Sequence, residues 1–113
     1  MKYVVAIIQP DKLSTVLERL TEKEIHLVTV SQVMGRGRQK GVSKVYRGSK
    51  KVGILLKKIK LEIAVNEEFV KPTIDAITAG GHTGKIGDGK IFIIDLKEVV
   101  RIRTWETGRV AIG

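Results

Sequence analysis

The sequence predicts an α+β domain in which four strands and two helices follow one another in the order β-α-β-β-α-β. Three observations lead to this class: short β-branched runs, two stretches whose apolar residues recur at helical spacing, and a length of 113 residues, which suits one compact core. No linker or internal repeat divides the chain. We therefore expect a single domain over residues 1–113.

The first half of the chain predicts a strand, a helix and a second strand. Residues 2–9, KYVVAIIQ, are apolar and β-branched and stop at Pro10, which is typical of a buried strand. In residues 11–24, apolar residues recur with spacings of three, one and three, which makes one face of an amphipathic helix. Residues 25–34, IHLVTVSQVM, partly alternate and predict the second strand.

The second half predicts a strand, a helix and a last strand. Residues 58–65, KIKLEIAV, alternate cleanly and indicate a strand with one polar face. Asn66 is the expected N-cap of a helix that has two glutamates in its first turn and ends at AGG, residues 79–81. The expected buried stripe of this helix comprises Phe69, Val70, Ile74 and Ile77. Residues 90–96 predict the fourth strand.

This order is that of a ferredoxin-like fold, in which two helices cover one face of a four-stranded antiparallel sheet. The other face is left uncovered, and an uncovered apolar face usually oligomerises or binds something. The connection between the second and third strands, about residues 36–56, is far longer than the usual ~4 to 6 residues. Long loops in compact domains are typically functional or disordered.

Positive charge is concentrated in and just after this connection. The net charge is +9, and residues 36–60 contain ten Lys and Arg residues with no Asp or Glu. The rest of the chain has 11 basic and 12 acidic residues, so the whole excess lies in this segment. Its field favours anionic partners such as phosphates, carboxylates or acidic protein surfaces. A solvated loop, a nucleic-acid arm and a protein-docking probe all stay open at this point.

Composition and spacing exclude several classes of function. The longest apolar runs fall far short of the ~20 residues of a membrane span, and no secretory signal is apparent, so we expect no membrane insertion. The chain has no cysteine, which excludes disulfides and suits the cytoplasm. His26 and His82 have no third ligand at metal-binding spacing, and no nucleophile with a base is evident. We expect a cytoplasmic protein that is not an enzyme.

A glycine-rich segment, TGKIGDGK at residues 83–90, predicts an anion-binding turn. It has the spacing of a P-loop, but Ile91 replaces the Ser or Thr that binds magnesium, and a strand follows where a helix belongs. Its glycines still permit positive φ and a close approach of N–H groups to an anion, and Lys90 adds charge. A tight turn at Asp88-Gly89 before a strand is the alternative.

The C-terminal segment RIRT adds to this prediction. Arg101 and Arg103 are two residues apart, so in an extended segment both guanidinium groups point to the same side. Two guanidinium groups on one side are suited to binding a polyphosphate. For RIRT taken alone, a solvated edge strand is the alternative. The glycine-rich turn and the arginine pair together favour a nucleotide.

The chain resembles the PII signal-transduction proteins over essentially its whole length. The resemblance rests on GRGRQKG at 35–41, YRG at 46–48, TGKIGDGKIF at 83–92 and RIRT at 101–104. It implies a homotrimer built around the sheets, with ATP or ADP in clefts between subunits and 2-oxoglutarate bound together with MgATP. It also implies regulation of nitrogen-metabolism targets, such as an ammonium transporter, through the long basic connection, the family's T-loop.

The resemblance implies roles for individual residues. The implied nucleotide ligands are Thr29, near the adenine, and Arg38, Gly87, Asp88, Gly89, Lys90, Arg101 and Arg103. The implied 2-oxoglutarate ligands are Gln39, Lys40, Gly41 and Lys58, and Gln39 is also the implied ligand of the Mg²⁺ that comes with ATP. Glu62 is implied as a charge partner of these groups, and Arg47, at the loop tip, as the contact to a protein partner.

The chain departs from the family pattern at several positions. Lys51 stands where many members have a tyrosine that is uridylylated, which excludes that modification there. Ser49 coincides with a site phosphorylated in some relatives, but lysines replace its usual neighbours. Trp105 stands where the family generally has Gly, so it either stacks near the adenine or fills a hydrophobic gap. A loop without acids should select an acidic partner or respond strongly to salt.

Two other functions stay open. A PII variant that senses a different small anion in carbon metabolism would keep the same fold. A nucleic-acid-binding protein would use the basic connection, but Tyr46 is the one aromatic residue in that segment, so base stacking has little to work with. We therefore expect no nucleic-acid partner.

Overall fold

The computed structural model of the chain describes residues 1–37, 45–46, 49–50 and 54–113. Its strands are β1 (Lys2–Ile8), β2 (Thr29–Gly35), β3 (Val45–Tyr46), β4 (Ser49–Lys50), β5 (Leu56–Val65) and β6 (Lys90–Asp95). Its helices are α1 (Leu13–Glu22), α2 (Val70–Gly81) and the short α3 (Arg109–Ile112). Across these described ranges, no helix combines the length and the apolar character that a bilayer span requires.

The four long strands form one antiparallel sheet in the order β2-β5-β1-β6. β1 and β5 are central, and across this pair Val4 lies opposite Ile63 and Val5 opposite Glu62. The strands β3 and β4 form a separate two-stranded pair within the long connection. The order of the long elements confirms the predicted ferredoxin-like βαββαβ fold.

The hydrophobic core lies between the sheet and the helices α1 and α2. From Val4 in β1 and from Ile59 in β5, every second residue is buried on this side, and Val4, Ala6 and Leu61 are completely buried. The two helices approach each other at Gly80, where a Cβ atom would stand 2.8 Å from the Cα of Val16. This close approach requires glycine, because a side chain would collide with backbone atoms.

Within the described residues, no helix packs on the opposite face of the sheet, as predicted. Phe92 and Ile94 of β6 lie directly opposite Val5 and Tyr3 of β1, so these four side chains share that face. Phe92 is 47% exposed and Ile94 49%. The single chain therefore presents apolar side chains on an uncovered sheet, a type of surface that often forms interfaces.

The second strand begins at Thr29, so the predicted start at residue 25 is wrong. Glu24 has a φ of 61°, and the N–H groups of Glu24 and Ile25 donate to the carbonyls of Thr21 and Leu20. This pattern is the Schellman ending of a helix, formed here without the glycine that usually signals it. Because of this ending, Ile25 packs in the core and the strand starts later than predicted, at Thr29.

The start of the second long helix also differs from the prediction. Residues Glu67–Phe69 form a 3-10 turn, and Asn66 makes no side-chain cap hydrogen bond. Its amide Nδ2 instead donates to the carbonyl of Arg109 at 3.4 Å, which links α3 to this turn. Phe69 is 36% exposed, so its predicted burial is wrong, whereas Ile77 is buried as predicted.

Candidate nucleotide and anion site

The turn between α2 and β6 is organised by Asp88. The carboxylate accepts hydrogen bonds from the N–H of Thr83 at 2.8 Å, from the Thr83 hydroxyl, and from the N–H of Gly84 at 3.0 Å. These bonds, with the one from the Thr83 side chain contributing most, lower the pKa of Asp88 to about 2. The Asp88 side chain therefore holds the turn together from inside.

The same turn depends on glycine at positions where the backbone is left-handed. Gly84, Gly87 and Gly89 have φ angles of 87°, 109° and 102°. At Gly89 a Cβ atom would lie 1.7 Å from the carbonyl oxygen of Ile7, because Gly89 lies beside the end of β1, directly before Lys90 pairs with Ile7. The glycines thus let the backbone take a path that other residues would block.

Lys58 of β5 is a buried cation beside this turn. Its side chain is on the uncovered side of the sheet, the residue is only 8% exposed, and its Nζ donates to the carbonyl of Gly87 at 3.1 Å. Among the ion pairs of the described residues, none includes Lys58. A buried cation without an opposite charge is costly, so an anion bound here would be stabilised.

A cavity of about 680 Å³ brings the turn, Lys58 and the start of the long connection together. Four predicted ligands line it: Lys58, Gly87, Gly89 and Lys90. Arg36 and Gly37, for which the sequence predicted no role, line it too. Their position in GRGRQKG, directly before the predicted ligand Arg38, is the sequence feature that could have indicated this role. Asp88 lines two neighbouring cavities, so its side chain is separated from this one.

Thr29 lies away from this group, on the far part of β2. It lines a different cavity, of about 380 Å³, and stands opposite Glu62 of β5. Glu62 accepts a hydrogen bond from the hydroxyl of Tyr3, and its Oε1 is 3.9 Å from the Nζ of Lys60. In the described residues the charge partner of Glu62 is therefore Lys60 and not Lys58.

The C-terminal arginines lie in a turn. The N–H of Trp105 donates to the carbonyl of Arg101 at 2.8 Å, so the premise that RIRT is extended is wrong. The Arg101 side chain lies 3.2 Å from Glu106 Oε1 and donates to the carbonyl of Val110 at 3.0 Å. Arg103 is exposed. Arg101 thus fastens the C-terminal segment, which sequence spacing alone did not indicate.

Trp105, in the same turn, is exposed and has a left-handed backbone. Its φ is 65°, in the region that favours glycine, and 84% of the residue is exposed. The alternative in which it fills a hydrophobic gap is therefore wrong for the single chain. Its stacking on an adenine stays a prediction.

Several predicted residues lie outside the described part of the chain, namely Arg38, Gln39, Lys40, Gly41, Arg47 and Lys51, and Ser49 is described by its backbone pairing alone. The predicted Mg²⁺ ligand Gln39 is among them. Where the structure does describe the chain, no three His, Cys, Asp or Glu side chains group as a metal site would require.

Comparison with known proteins shows the family of this chain. The family model described as nitrogen regulatory protein P-II matches residues 1–106. Nitrogen regulatory protein GlnK1 of Methanosarcina mazei is 51% identical over 114 residues, which cover 99% of this chain and 97% of the relative. Nitrogen regulatory protein P-II 2 of Methanothermobacter thermautotrophicus is 49% identical, with 99% and 97% covered. Nitrogen regulatory protein P-II of Azospirillum brasilense is 48% identical, with 99% and 100% covered.

The chain belongs to the PII family of nitrogen regulatory proteins. The resemblance read from its motifs is thereby confirmed, and the relatives that it matches are named as regulators. In this PII chain most of the predicted ligands that the structure describes occupy three separate places, while the Asp88 side chain lines two neighbouring cavities. Lys58, Gly87, Gly89 and Lys90 share one cavity, Thr29 lines another, and Arg101 and Arg103 lie in the C-terminal turn.

Proposed function

We propose that this PII protein is a homotrimeric cytoplasmic sensor, not an enzyme. It binds ATP or ADP in clefts between subunits, binds 2-oxoglutarate together with MgATP, and regulates nitrogen-metabolism targets through its T-loop, about residues 36–56. The observation that carries the proposal is the buried Lys58, which lines a cavity with the glycine-rich turn and forms no ion pair within the described residues. An anionic ligand supplies the charge that this position lacks.

The glycine-rich turn is the phosphate end of the proposed site. Gly87 and Gly89 take left-handed conformations that bring backbone N–H groups close to an anion, and Lys90 adds a positive charge. Asp88 was predicted as a nucleotide ligand, but its carboxylate is already occupied by Thr83 and Gly84. We therefore assign the Asp88 side chain to holding the turn and only its backbone to the phosphates.

A second subunit completes the site in this proposal. Along β5, the residue opposite Thr29 is four positions from Lys58, which corresponds to roughly 13 Å at ~3.3 Å per residue. Arg101 and Arg103 lie on yet another part of the chain. In this proposal neighbouring subunits contribute some of these groups, so that a single nucleotide meets the glycine-rich turn, Thr29 and the arginines. The uncovered apolar sheet face around Phe92 and Ile94 supports such packing.

The effector end of the proposed site lies at the start of the T-loop. Gln39 would hold Mg²⁺ that arrives with ATP, and the metal supplies a positive centre that carboxylate and phosphate oxygens can share. Lys58 would pair with a carboxylate of 2-oxoglutarate, while Lys40 and Gly41 offer backbone N–H groups. Because Gln39 and Lys40 belong to the T-loop, ligand binding and T-loop conformation are thermodynamically linked.

The output of the proposed sensor is a protein contact made by the T-loop. The excess of Lys and Arg over residues 36–60 selects an acidic partner surface, such as one on an ammonium transporter, with Arg47 as its central contact. Association should weaken as salt rises, because exposed charges are screened beyond roughly 10 Å at 0.1 M salt.

Titration calorimetry tests the nucleotide part of the proposal. The wild-type protein should bind ADP and ATP, and Arg103→Ala should weaken this binding by about tenfold or more, as expected when a charge-assisted hydrogen bond is lost. Arg19→Ala is the matched control, because Arg19 is an exposed arginine of α1 whose described partner is Glu22 at 4.0 Å. The absence of heat with both nucleotides would overturn the proposal.

Two further measurements test the effector and the partner. Heat from 2-oxoglutarate should appear only with MgATP and vanish in Gln39→Ala; heat from another small acid instead would favour the variant that senses carbon metabolism. Capture from lysate with ADP, with MgATP, and with MgATP plus 2-oxoglutarate should retain different amounts of an acidic protein. Tight, sequence-selective binding of a DNA duplex at physiological salt would instead favour the nucleic-acid function.

A further inference from the structure

The hydrogen bond between Lys58 and Gly87 joins two distant parts of the chain. Lys58 lies on β5 and is paired with Val33 of β2, so its backbone is fixed by the sheet. Its Nζ reaches the carbonyl of Gly87, 29 positions later, at 3.1 Å. A buried side chain on a rigid strand thus supports the glycine-rich turn from the cavity side.

The Lys58–Gly87 bond restrains the second half of the turn, which the Asp88 carboxylate does not contact. The Asp88 carboxylate binds Thr83 and Gly84, at the first half of the turn. Gly87 has no side chain and a φ of 109°, so its own conformational preferences hold it weakly. In a trans peptide the C=O and the following N–H point in opposite directions. Fixing the carbonyl of Gly87 therefore also fixes the direction of the Asp88 N–H.

We infer that Lys58 is a positioning residue for the phosphate-binding turn, and that it strengthens nucleotide binding even when no second anion is present. The inference rests on the proposed function, because it assigns nucleotide phosphates to that turn. In the proposed function Lys58 serves 2-oxoglutarate, which needs MgATP. The Lys58–Gly87 contact gives the same side chain a role at an earlier step, the binding of ADP or ATP alone.

The contact also links the two ligands of the proposed sensor. An ammonium group has three hydrogens, so Lys58 can keep its bond to Gly87 while it donates to the carboxylate of a second anion. That anion would then hold Lys58 in place and stiffen the turn, which raises nucleotide affinity. By linkage, the nucleotide raises the affinity for the anion by the same factor.

The charge of Lys58 could attract phosphate without any positioning, so the test must separate the two effects. Lys58→Met removes both the charge and the hydrogen bond with little change in side-chain length. Lys57→Met is the matched control: it removes an equal charge from the adjacent residue of β5, which is exposed and lies on the other side of the sheet. Circular dichroism and size-exclusion chromatography verify that both variants keep the wild-type fold and assembly.

Two readouts are compared in the full-length protein. Amide hydrogen exchange of residues 87–90 is measured without any ligand, and ADP affinity is measured by calorimetry without Mg²⁺ and without 2-oxoglutarate. We expect Lys58→Met to speed exchange at these amides several-fold and to weaken ADP binding by about tenfold, the size expected for one lost bond to a charged group. Lys57→Met should leave exchange unchanged and change ADP affinity by less than about twofold.

The outcomes separate this inference from the proposed function. If the wild-type protein binds ADP, but Lys58→Met exchanges at residues 87–90 as the wild type does, the positioning role is overturned while the nucleotide function stands. The same conclusion follows if both variants weaken ADP binding equally, because only charge would then matter. If the wild-type protein binds no nucleotide, the proposed function fails first and this inference fails with it.

Discussion

The carboxylate of Asp88 accepts hydrogen bonds from both the backbone N–H and the side-chain hydroxyl of Thr83, so one residue closes the turn at the candidate phosphate site. The N–H of Gly84 donates to the same carboxylate at 3.0 Å. Hydrogen bonds to the charged form stabilise that form, and the pKa of Asp88 is accordingly about 2 instead of 3.8. The order of the turn is therefore tied to the ionisation of Asp88.

The first prediction concerns acid pH. Because the folded-state pKa of Asp88 is lowered, its contribution is fully present above pH 3.8 and is lost as the pH falls through about 2. In an NMR titration, the amide signals of Thr83 and Gly84 should move together with a midpoint near pH 2. In Asp88→Asn this transition should be absent. A midpoint near 3.8 in the folded wild-type protein would show that the carboxylate is not held as described.

Gly89→Ala should destabilise the protein strongly. The added Cβ would stand 1.7 Å from the carbonyl oxygen of Ile7, on a backbone with φ of 102°, so β1 and β6 must move apart. We expect a loss of about 3 kcal/mol or more in the free energy of unfolding. Gly84→Ala, in the same turn, is the control: its φ is 87°, but its nearest neighbour would be 3.8 Å away, so only about 1 kcal/mol of backbone strain applies.

Urea denaturation at one fixed protein concentration compares the two alanine variants of this turn. Equal midpoints would mean that the collision with Ile7 is relieved without cost, and that Gly89 does not approach β1 as closely as described.

The contact between α1 and α2 gives the third prediction. Gly80→Ala places a methyl group 2.8 Å from the Cα of Val16, whereas Gly81→Ala, one residue later, meets only atoms at 3.8 Å. Alanine favours a helix over glycine by roughly 1 kcal/mol. We therefore expect Gly80→Ala to lower the melting temperature, because separating the helices outweighs this gain, and Gly81→Ala to be neutral or slightly stabilising. A melting temperature raised in both variants would show that the helices separate freely at Gly80.

The fold could be predicted because its signals are local and periodic. The alternation of KIKLEIAV and the helical spacing after Asp11 specify elements and their buried faces without knowledge of the partner elements. The start of β2 was misplaced because Glu24 ends the helix in a left-handed conformation, and only glycine or asparagine would have signalled this.

The candidate site could be predicted only in part, because several of its contacts join residues that are far apart in the sequence. The glycines of TGKIGDGK predict a turn with positive φ angles, and Gly84, Gly87 and Gly89 adopt them in the structure. The hydrogen bond from Lys58 to Gly87 joins residues that are 29 positions apart, and no sequence pattern predicts it. Spacing likewise does not indicate the turn at RIRT, where the N–H of Trp105 bonds to the carbonyl of Arg101 and the Arg101 side chain contacts Glu106 and Val110.

The last prediction concerns Trp105, whose backbone adopts a conformation that glycine prefers. Its φ is 65°, and with 84% of the residue exposed the indole contributes little packing in the single chain. Trp105→Ala keeps the strained backbone, whereas Trp105→Gly relieves it, so the glycine variant should be more stable than the alanine variant by about 1 kcal/mol. If the backbone at residue 105 were unstrained, the alanine variant should be the more stable one, because glycine makes the unfolded chain more flexible. Thermal unfolding of the two variants decides between these, and an alanine variant that is the more stable would mean that the turn is not left-handed at residue 105.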